Sequence, residues 1–261
     1  MSHEQKYTFG DSTLAAQRLG WLAEVFEPGS QQLLGELAAV SGGALDLGCG
    51  PGYTTELLQT RLSPAWTVGL DNSPRMLELA RARASGAVRF IEHEVSVLPF
   101  PVSAAELVYA RFLVTHLGEP AHVLRGWSSV LAPGGRLVLE ETAFMRAEHP
   151  AFQQYYACVQ SLQAHYGQNM YVGQKLAGLC EQAGYVLLQA GVLARAIPAA
   201  QMARLHAANL ATWSQDPFAR ASFDPEMLRR LGEALAELTT GGEQAPPVTV
   251  GMGQVVAQRI A

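Results

Sequence analysis

The stretch Leu45-Asp46-Leu47-Gly48-Cys49-Gly50-Pro51-Gly52 concentrates residue types able to hold a bulky polar ligand. Glycines at alternate positions let a backbone approach a ligand closely and aim its N–H groups, most effectively at a helix N-terminus. The order D-x-G-x-G-x-G differs from G-x-G-x-x-G, the usual dinucleotide turn. A carboxylate beside the loop, Asp46, would repel a pyrophosphate and attract a ligand bearing an amine or a cation. Asp71 closes Val68-Gly69-Leu70-Asp71-Asn72, 19 positions beyond the last glycine. A carboxylate there can accept both hydroxyls of a ribose. Further signals are Glu94-Val95 ahead of Leu98-Pro99-Phe100, and the turn Pro133-Gly134-Gly135 within Val130 to Leu137.

Other reactive residue types carry two readings each. His116, in Arg111-Phe112-Leu113-Val114-Thr115-His116-Leu117, could take a proton from a bound acceptor, or could cap and pack the next helix. Cys49 reads as a small filler of the loop, because no base is identifiable beside it. Glu94 stands between a ligand contact and a solvated strand end. Glu141, His149, Tyr155, Tyr156 and Tyr171 read as wall or surface of a cap, with the Tyr155 face assigned to core. Cys49, Cys158 and Cys180 are widely spaced and lack metal-ligand spacing, so no metal is expected.

These residues need elements to position them. Leu14, Arg18, Leu19, Leu22 and Phe26 fall at helical spacing, and Pro28-Gly29-Ser30 is expected to break that run before a second helix to about Val40. Strands and helices then alternate. Strands are expected at 44–47, 67–71, 88–94, 106–110 and 136–140, with helices at 53–62, from Pro74, and at 119–131. Ser73 with Pro74 behind it forms a helix-start signal. Parallel strands with right-handed helical crossovers follow from this alternation. Beyond Ala143 come helices at 150–166, 173–183 and 199–213, a long strand 185–197, a helix opened by Asp224-Pro225 with Leu228, Leu231, Leu235 and Leu238 as its stripe, and a last strand 248–260. The predicted fold is α/β: a doubly wound, Rossmann-like, mostly parallel sheet of about seven strands with helices on both faces. It has three parts: an N-terminal helical segment 1–40, a ligand-binding core 41–142, and a remainder 143–261 with helical cap insertions at 143–184 and 199–243.

Composition bounds the partners. The 261 residues are 49% hydrophobic, enough for a sizeable core, and carry 18 Lys and Arg against 23 Asp and Glu. A net charge of −5 without a basic run argues against nucleic acid, whose phosphates demand clustered cations. No run of 18 apolar residues appears, so no membrane span is expected. The opening residues lack the pattern of a secretory leader, and a cytoplasmic protein is expected.

Together, residues 45–141 resemble the class I S-adenosylmethionine-dependent methyltransferases of small-molecule type. The resemblance rests on the D-x-G-x-G-x-G loop, the strand-ending Asp71 and the Leu131-Ala132-Pro133-Gly134-Gly135 joint, in that order. It implies S-adenosylmethionine as cofactor, with Asp46, Gly48, Cys49 and Gly50 around its methionine and ribose end. It further implies Asp71 on the ribose hydroxyls, Asn72 and Met76 beside ribose and adenine, and Glu94 and Val95 at the adenine edge. Ala110, Arg111 and Phe112 would follow the cofactor along the fourth strand. The opening Tyr7-Thr8-Phe9-Gly10 and Arg18-Leu19 resemble a front segment that closes over the cofactor. His116 becomes the candidate catalytic base, and Tyr7, His116, Tyr156 and Tyr171 the candidate acceptor contacts. The sequence departs from the family where His93-Glu94-Val95 replaces Gly-Asp-Ala and Ala105-Glu106 replaces Phe-Asp. A non-catalytic S-adenosylmethionine-binding module and a nicotinamide-dependent oxidoreductase are the alternatives. The acceptor, the atom methylated and the oligomeric state are not legible.

Overall fold

The computed structural model describes residues 13–241 and 244–259, with side chains described from residue 17 onward. The strand β1 (Gly43–Leu47) is buried at every position, as a strand covered by helices on both faces must be. Its side chains alternate. Leu45 and Leu47 enter a core with Val68, Val108, Trp127 and Leu137, whereas Ala44 meets Leu33, Leu57, Leu58 and Tyr109 on the opposite face.

Parallel to β1 lie β2 (Trp66–Asp71), β3 (Val88–Glu92), β4 (Ala105–Arg111) and, beside β4, β5 (Leu131–Arg146). The strand β6 (Tyr185–Ile197) forms an edge, and β7 (Val248–Arg259) inserts antiparallel between β5 and β6. The order is β3-β2-β1-β4-β5-β7-β6, the expected doubly wound and mostly parallel sheet. Strand addition reverses direction between β1 and β4, and open α/β sheets take ligands in the crevice at such a point.

The helices α2 (Tyr53–Leu62), α3 (Pro74–Arg83), α4 (Pro120–Trp127) and α6 (Leu176–Gln182) flank the sheet. Ser73 caps α3 by accepting from the Met76 N–H at 3.3 Å, and Pro74 supplies the preset φ of the first turn. Above the strand ends, α5 (Pro150–His165), α7 (Ala199–Trp213), α8 (Pro217–Ser222) and α9 (Pro225–Gly241) share a second core built on Phe152, Leu162, Met202, Trp213 and Leu235. The long helix α1 (Thr13–Gly35) joins the two, with Val25 and Phe26 in the cap core and Leu33 and Leu34 in the sheet core.

Several boundaries differ from the sequence expectations. The break at Pro28-Gly29-Ser30 does not occur, and α1 runs through Pro28. A proline inside a helix costs about 3 kcal/mol, but burying Val25, Phe26, Leu33 and Leu34 contributes about 1.5–3 kcal/mol each, so packing wins. The helix expected to reach Leu131 stops at Trp127, and Pro133-Gly134-Gly135 lies inside β5 at a register shift against β4. The strand β5 also continues to Arg146 because β7 pairs with it over that length, so position 143 falls within a strand. The expected helix 173–183 is a 3₁₀ turn, Val172–Lys175, followed by α6. Leu176 and Cys180 of α6 enter the sheet core, which leaves α5 as the cap element of the 143–184 segment. No helix among the described residues is long and apolar enough to cross a membrane.

Candidate functional site

The turn between β1 and α2 has a backbone that glycine alone adopts easily. Gly48 (φ 65°) and Gly52 (φ 81°) are left-handed, and a Cβ on them would meet Leu113 Cδ1 at 2.9 Å and Phe90 Cζ at 2.7 Å respectively. Among the described residues a Cβ on Gly50 would meet only Leu19 Cδ1, at 3.9 Å. The Gly50 N–H donates to Asp71 Oδ2 at 2.8 Å and the Ser73 N–H to Asp71 Oδ1 at 2.9 Å. Asp71 thereby ties the glycine turn to the start of α3. Burial pushes its carboxyl above the ordinary value, against the pull of those two N–H groups.

The next strand end carries the polar edge. The Asn72 Nδ2 donates to Glu94 Oε2 at 2.7 Å, and Ser96 donates to Glu94 Oε1. Because β3 stops at Glu92, Glu94 and Val95 sit on the following loop and not on the strand expected to run to 94. At the end of β4, Phe112 takes a positive φ of 57°, an uncommon state for a bulky residue, and its ring meets Phe26 of α1 edge-on. Arg111 Nη1 donates to Ser30 Oγ at 2.9 Å. Glu141 of β5 is buried and accepts from the Val114 N–H at 2.5 Å, which holds the turn carrying His116. Burial pushes the Glu141 carboxyl up to about 8. It pushes the His116 imidazole down to about 4, with the nearby Arg18 charge acting in the same direction.

Gly48, Gly50, Asp71, Glu94, His116 and Glu141 all border one cavity of about 620 Å³, within the usual range for small-molecule sites. Its floor is formed by the strand ends, one side by α1, and its roof by Tyr155, Val159 and Gln163 of α5 and Leu205, His206 and Asn209 of α7. Of the residues singled out in sequence, Arg18, Gly48, Cys49, Gly50, Asp71, Asn72, Met76, Glu94, Val95, Arg111, Phe112 and His116 line it.

Others do not. Asp46 is directed away from the cavity: at 1% exposure its Oδ2 accepts from the Thr54 and Thr55 hydroxyls, each at 2.6 Å. Alternation along β1 turns it toward α2, and burial pushes its carboxyl up to about 6. Ala110 is wholly buried in the sheet core. Tyr156 is packed in the cap with its hydroxyl 3.0 Å from His206 Nε2, and Tyr171 precedes a 3₁₀ turn outside the cavity wall. Tyr7 lies outside the described residues.

Sequence reasoning missed Gln163, His206 and Asn209; Glu141, read as wall or surface of the cap, does line the cavity, and Tyr155, whose face is assigned to core in sequence, does so as well. The available signal was spacing. Tyr155, Val159 and Gln163 fall four apart, and His206 and Asn209 three apart, so each set shares a helix face. A polar residue on such an otherwise apolar stripe marks a cavity or a buried network.

With this geometry in view, the profile of the methyltransferase-domain family matches residues 45–139, the stretch that holds the glycine turn, Asp71 and Glu94. Residues 45–139 carry a methyltransferase domain. The trans-aconitate 2-methyltransferase of Methylobacterium nodulans is 38% identical to it over 126 residues, covering 48% of this chain and 48% of that one. The match thus spans about half the length of that relative. Among solved structures, a protein of Bacillus halodurans C-125 described as a candidate methyltransferase superposes with a TM-score of 0.59 at 17% identity, covering 89% of this chain and 98% of the other. The [4+2]-cyclase SpnF superposes at 0.56 and 18% identity, covering 89% and 80%. At such identities the likeness is one of fold. The matched residues hold most of β1, all of β2 to β4 and the first part of β5, while β6, β7, Gln163, His206 and Asn209 lie outside them.

Proposed function

We propose that the protein binds S-adenosylmethionine at the strand-end floor of the cavity and transfers its methyl group to a small-molecule acceptor held under the cap. The observation that carries the reading is the meeting of Gly48, Gly50, Asp71 and Glu94 on one cavity at the reversal point of the sheet. These residues fit the cofactor. A carboxylate has about four acceptor sites; two on Asp71 hold N–H groups, which leaves capacity for a ribose diol. The bare backbone at Gly50 would give the ribose and methionine portion room. Asn72 and Met76 would flank the ribose, Glu94 and Val95 would address the adenine edge, and Arg18 would supply a cation for the amino-acid carboxylate.

When bound, the cofactor supplies an electrophilic sulfonium methyl carbon. The chain's own task is then to hold an acceptor atom in line and to exclude water, through the apolar walls Leu22, Phe26, Met145 and Val159. A histidine poised near 4 is neutral at physiological pH and a weak base. His116 is accordingly assigned to orienting the acceptor through a hydrogen bond more than to full removal of a proton.

Calorimetric titration with S-adenosylhomocysteine, with NADH as the parallel, tests the cofactor. Binding of the former alone is expected, and Asp71→Ala should weaken it by about 1–3 kcal/mol, the cost of losing a charged hydrogen-bond partner. Binding of NADH alone would return the oxidoreductase alternative. Cofactor binding with no transfer to any metabolite would leave a binding module.

A further inference from the structure

The roof of the cavity holds polar atoms that no described residue satisfies. Gln163 Oε1, His206 Nδ1 and Asn209 Oδ1 are buried without a hydrogen-bond partner, in residues only 5%, 3% and 7% exposed, and all three residues line the cavity. Buried polar atoms are satisfied in the great majority of cases, because an orphaned group costs about 1–3 kcal/mol. Three orphans together on a ligand cavity are the mark of a subsite whose partner is a ligand.

Their positions are firmly set. Tyr155 of α5 stacks on the His206 ring with centroids 4.1 Å apart and planes 16° apart, and Tyr156 engages His206 Nε2. The two helices therefore hold one another in register beneath the cap core. Burial pushes the His206 imidazole down to about 3, so the ring is neutral. The charged side chains of the cavity lie at or near its floor. Asp71, Glu94 and Glu141 oppose Arg18 and Arg111, and Arg111 is already engaged by Ser30. Among the described residues, α5 and α7 present no charged side chain to the cavity that could meet an anionic acceptor, and a buried unpaired carboxylate is costly.

We propose that Gln163, His206 and Asn209 form the acceptor subsite, and that it selects an uncharged molecule with an apolar body and hydroxyl or amide N–H groups, not a polycarboxylate. This rests on the methyl-transfer reading above. The two carboxamides and the imidazole read the polar groups of the acceptor, while Phe26, Met145, Met170 and Leu205 enclose its apolar part. The chemistry differs from what the name of the trans-aconitate relative specifies, and the three residues fall outside the matched domain.

The test uses Gln163→Met and Asn209→Leu, near-isosteric changes that delete the orphan groups. In the full chain without ligand Gln163→Met should raise Tm, by roughly 2–4 °C for about 1 kcal/mol of relieved penalty, whereas Asn209→Leu, which also removes the Asn209 contact with the Tyr155 hydroxyl, is judged by KM alone. Affinity for S-adenosylhomocysteine should stay within twofold of native. A lowered Tm for Gln163→Met would mean that its carboxamide serves the fold, and would overturn the assignment. Radiolabelled methyl transfer is then measured with catechol, 4-hydroxybenzamide and benzyl alcohol against trans-aconitate and citrate. Turnover confined to uncharged members, with KM raised tenfold or more by either variant, is expected. Turnover of the carboxylates alone, of none of the uncharged members, or of uncharged members with KM unmoved by the variants, would overturn it. Failure of the native protein to bind S-adenosylhomocysteine would instead strike the methyl-transfer reading, and the Tm result would still judge the Gln163 group by itself.

Discussion

Replacing Asp46 by Asn isolates the cost of a buried charge at the heart of the sheet. Asp46 is nearly inaccessible, and burial raises its carboxyl from 3.8 to about 6, although the Thr54 and Thr55 hydroxyls and the Arg111 charge favour ionisation. A shift of about two units at 1.36 kcal/mol each corresponds to about 3 kcal/mol. The folded state holds this proton more tightly than the unfolded chain. The group's contribution to stability is therefore intact below about pH 4 and is lost as pH rises through about 6. In Asp46→Asn the amide oxygen can still accept from both threonine hydroxyls, while the charge is gone. An amide N–H₂ left short of a partner would take back about 1 kcal/mol or more. Urea denaturation at pH 8 should then show the Asn variant more stable by about 1–2 kcal/mol, and the advantage should disappear by about pH 4. Asp46→Ala should lose stability at both pH values, because it leaves two buried hydroxyls without their acceptor. An Asn variant less stable than native at pH 8, or a difference that does not change with pH, would refute the argument.

Three further outcomes follow from the same geometry. If His116 contributes to turnover in its neutral form, kcat/KM should fall on an acid limb near pH 4; a limb near 6.5 that vanishes in His116→Ala would show an ordinary, solvated histidine. Glu141, raised from 4.5 to about 8, should make native stability decline as pH rises from about 5 through 8, and Glu141→Gln, which keeps an acceptor for the Val114 N–H, should flatten that decline in chemical denaturation. Gly52→Ala should cost about 1–3 kcal/mol by thermal denaturation, since a Cβ there meets Phe90 and Ala80 in a left-handed backbone; an unchanged Tm would show that the turn relaxes.

Much of this molecule was legible before any coordinates. The alternation of short apolar strands with helices dictated parallel pairing, and the glycine turn, Ser73-Pro74 and Asp71 marked the ligand crevice, because local backbone chemistry is written in local residue types. In sequence the direction of Asp46 is misassigned to the ligand, although period two along β1 opposes that: between Leu45 and Leu47 it faces the other side, toward Thr54 and Thr55. Tertiary packing decided the rest. Pro28 signals a break, and only the burial of side chains on both sides of it, in two different cores, shows why α1 continues. The length of β5 depends on β7, which pairs with it from more than a hundred residues away. Gln163 and the pair His206 and Asn209 look like ordinary polar residues on separate helices. Their common role emerges only when α5 and α7 close over one cavity and leave their polar atoms without partners, since satisfaction of a buried group is a property of its surroundings and not of its own sequence.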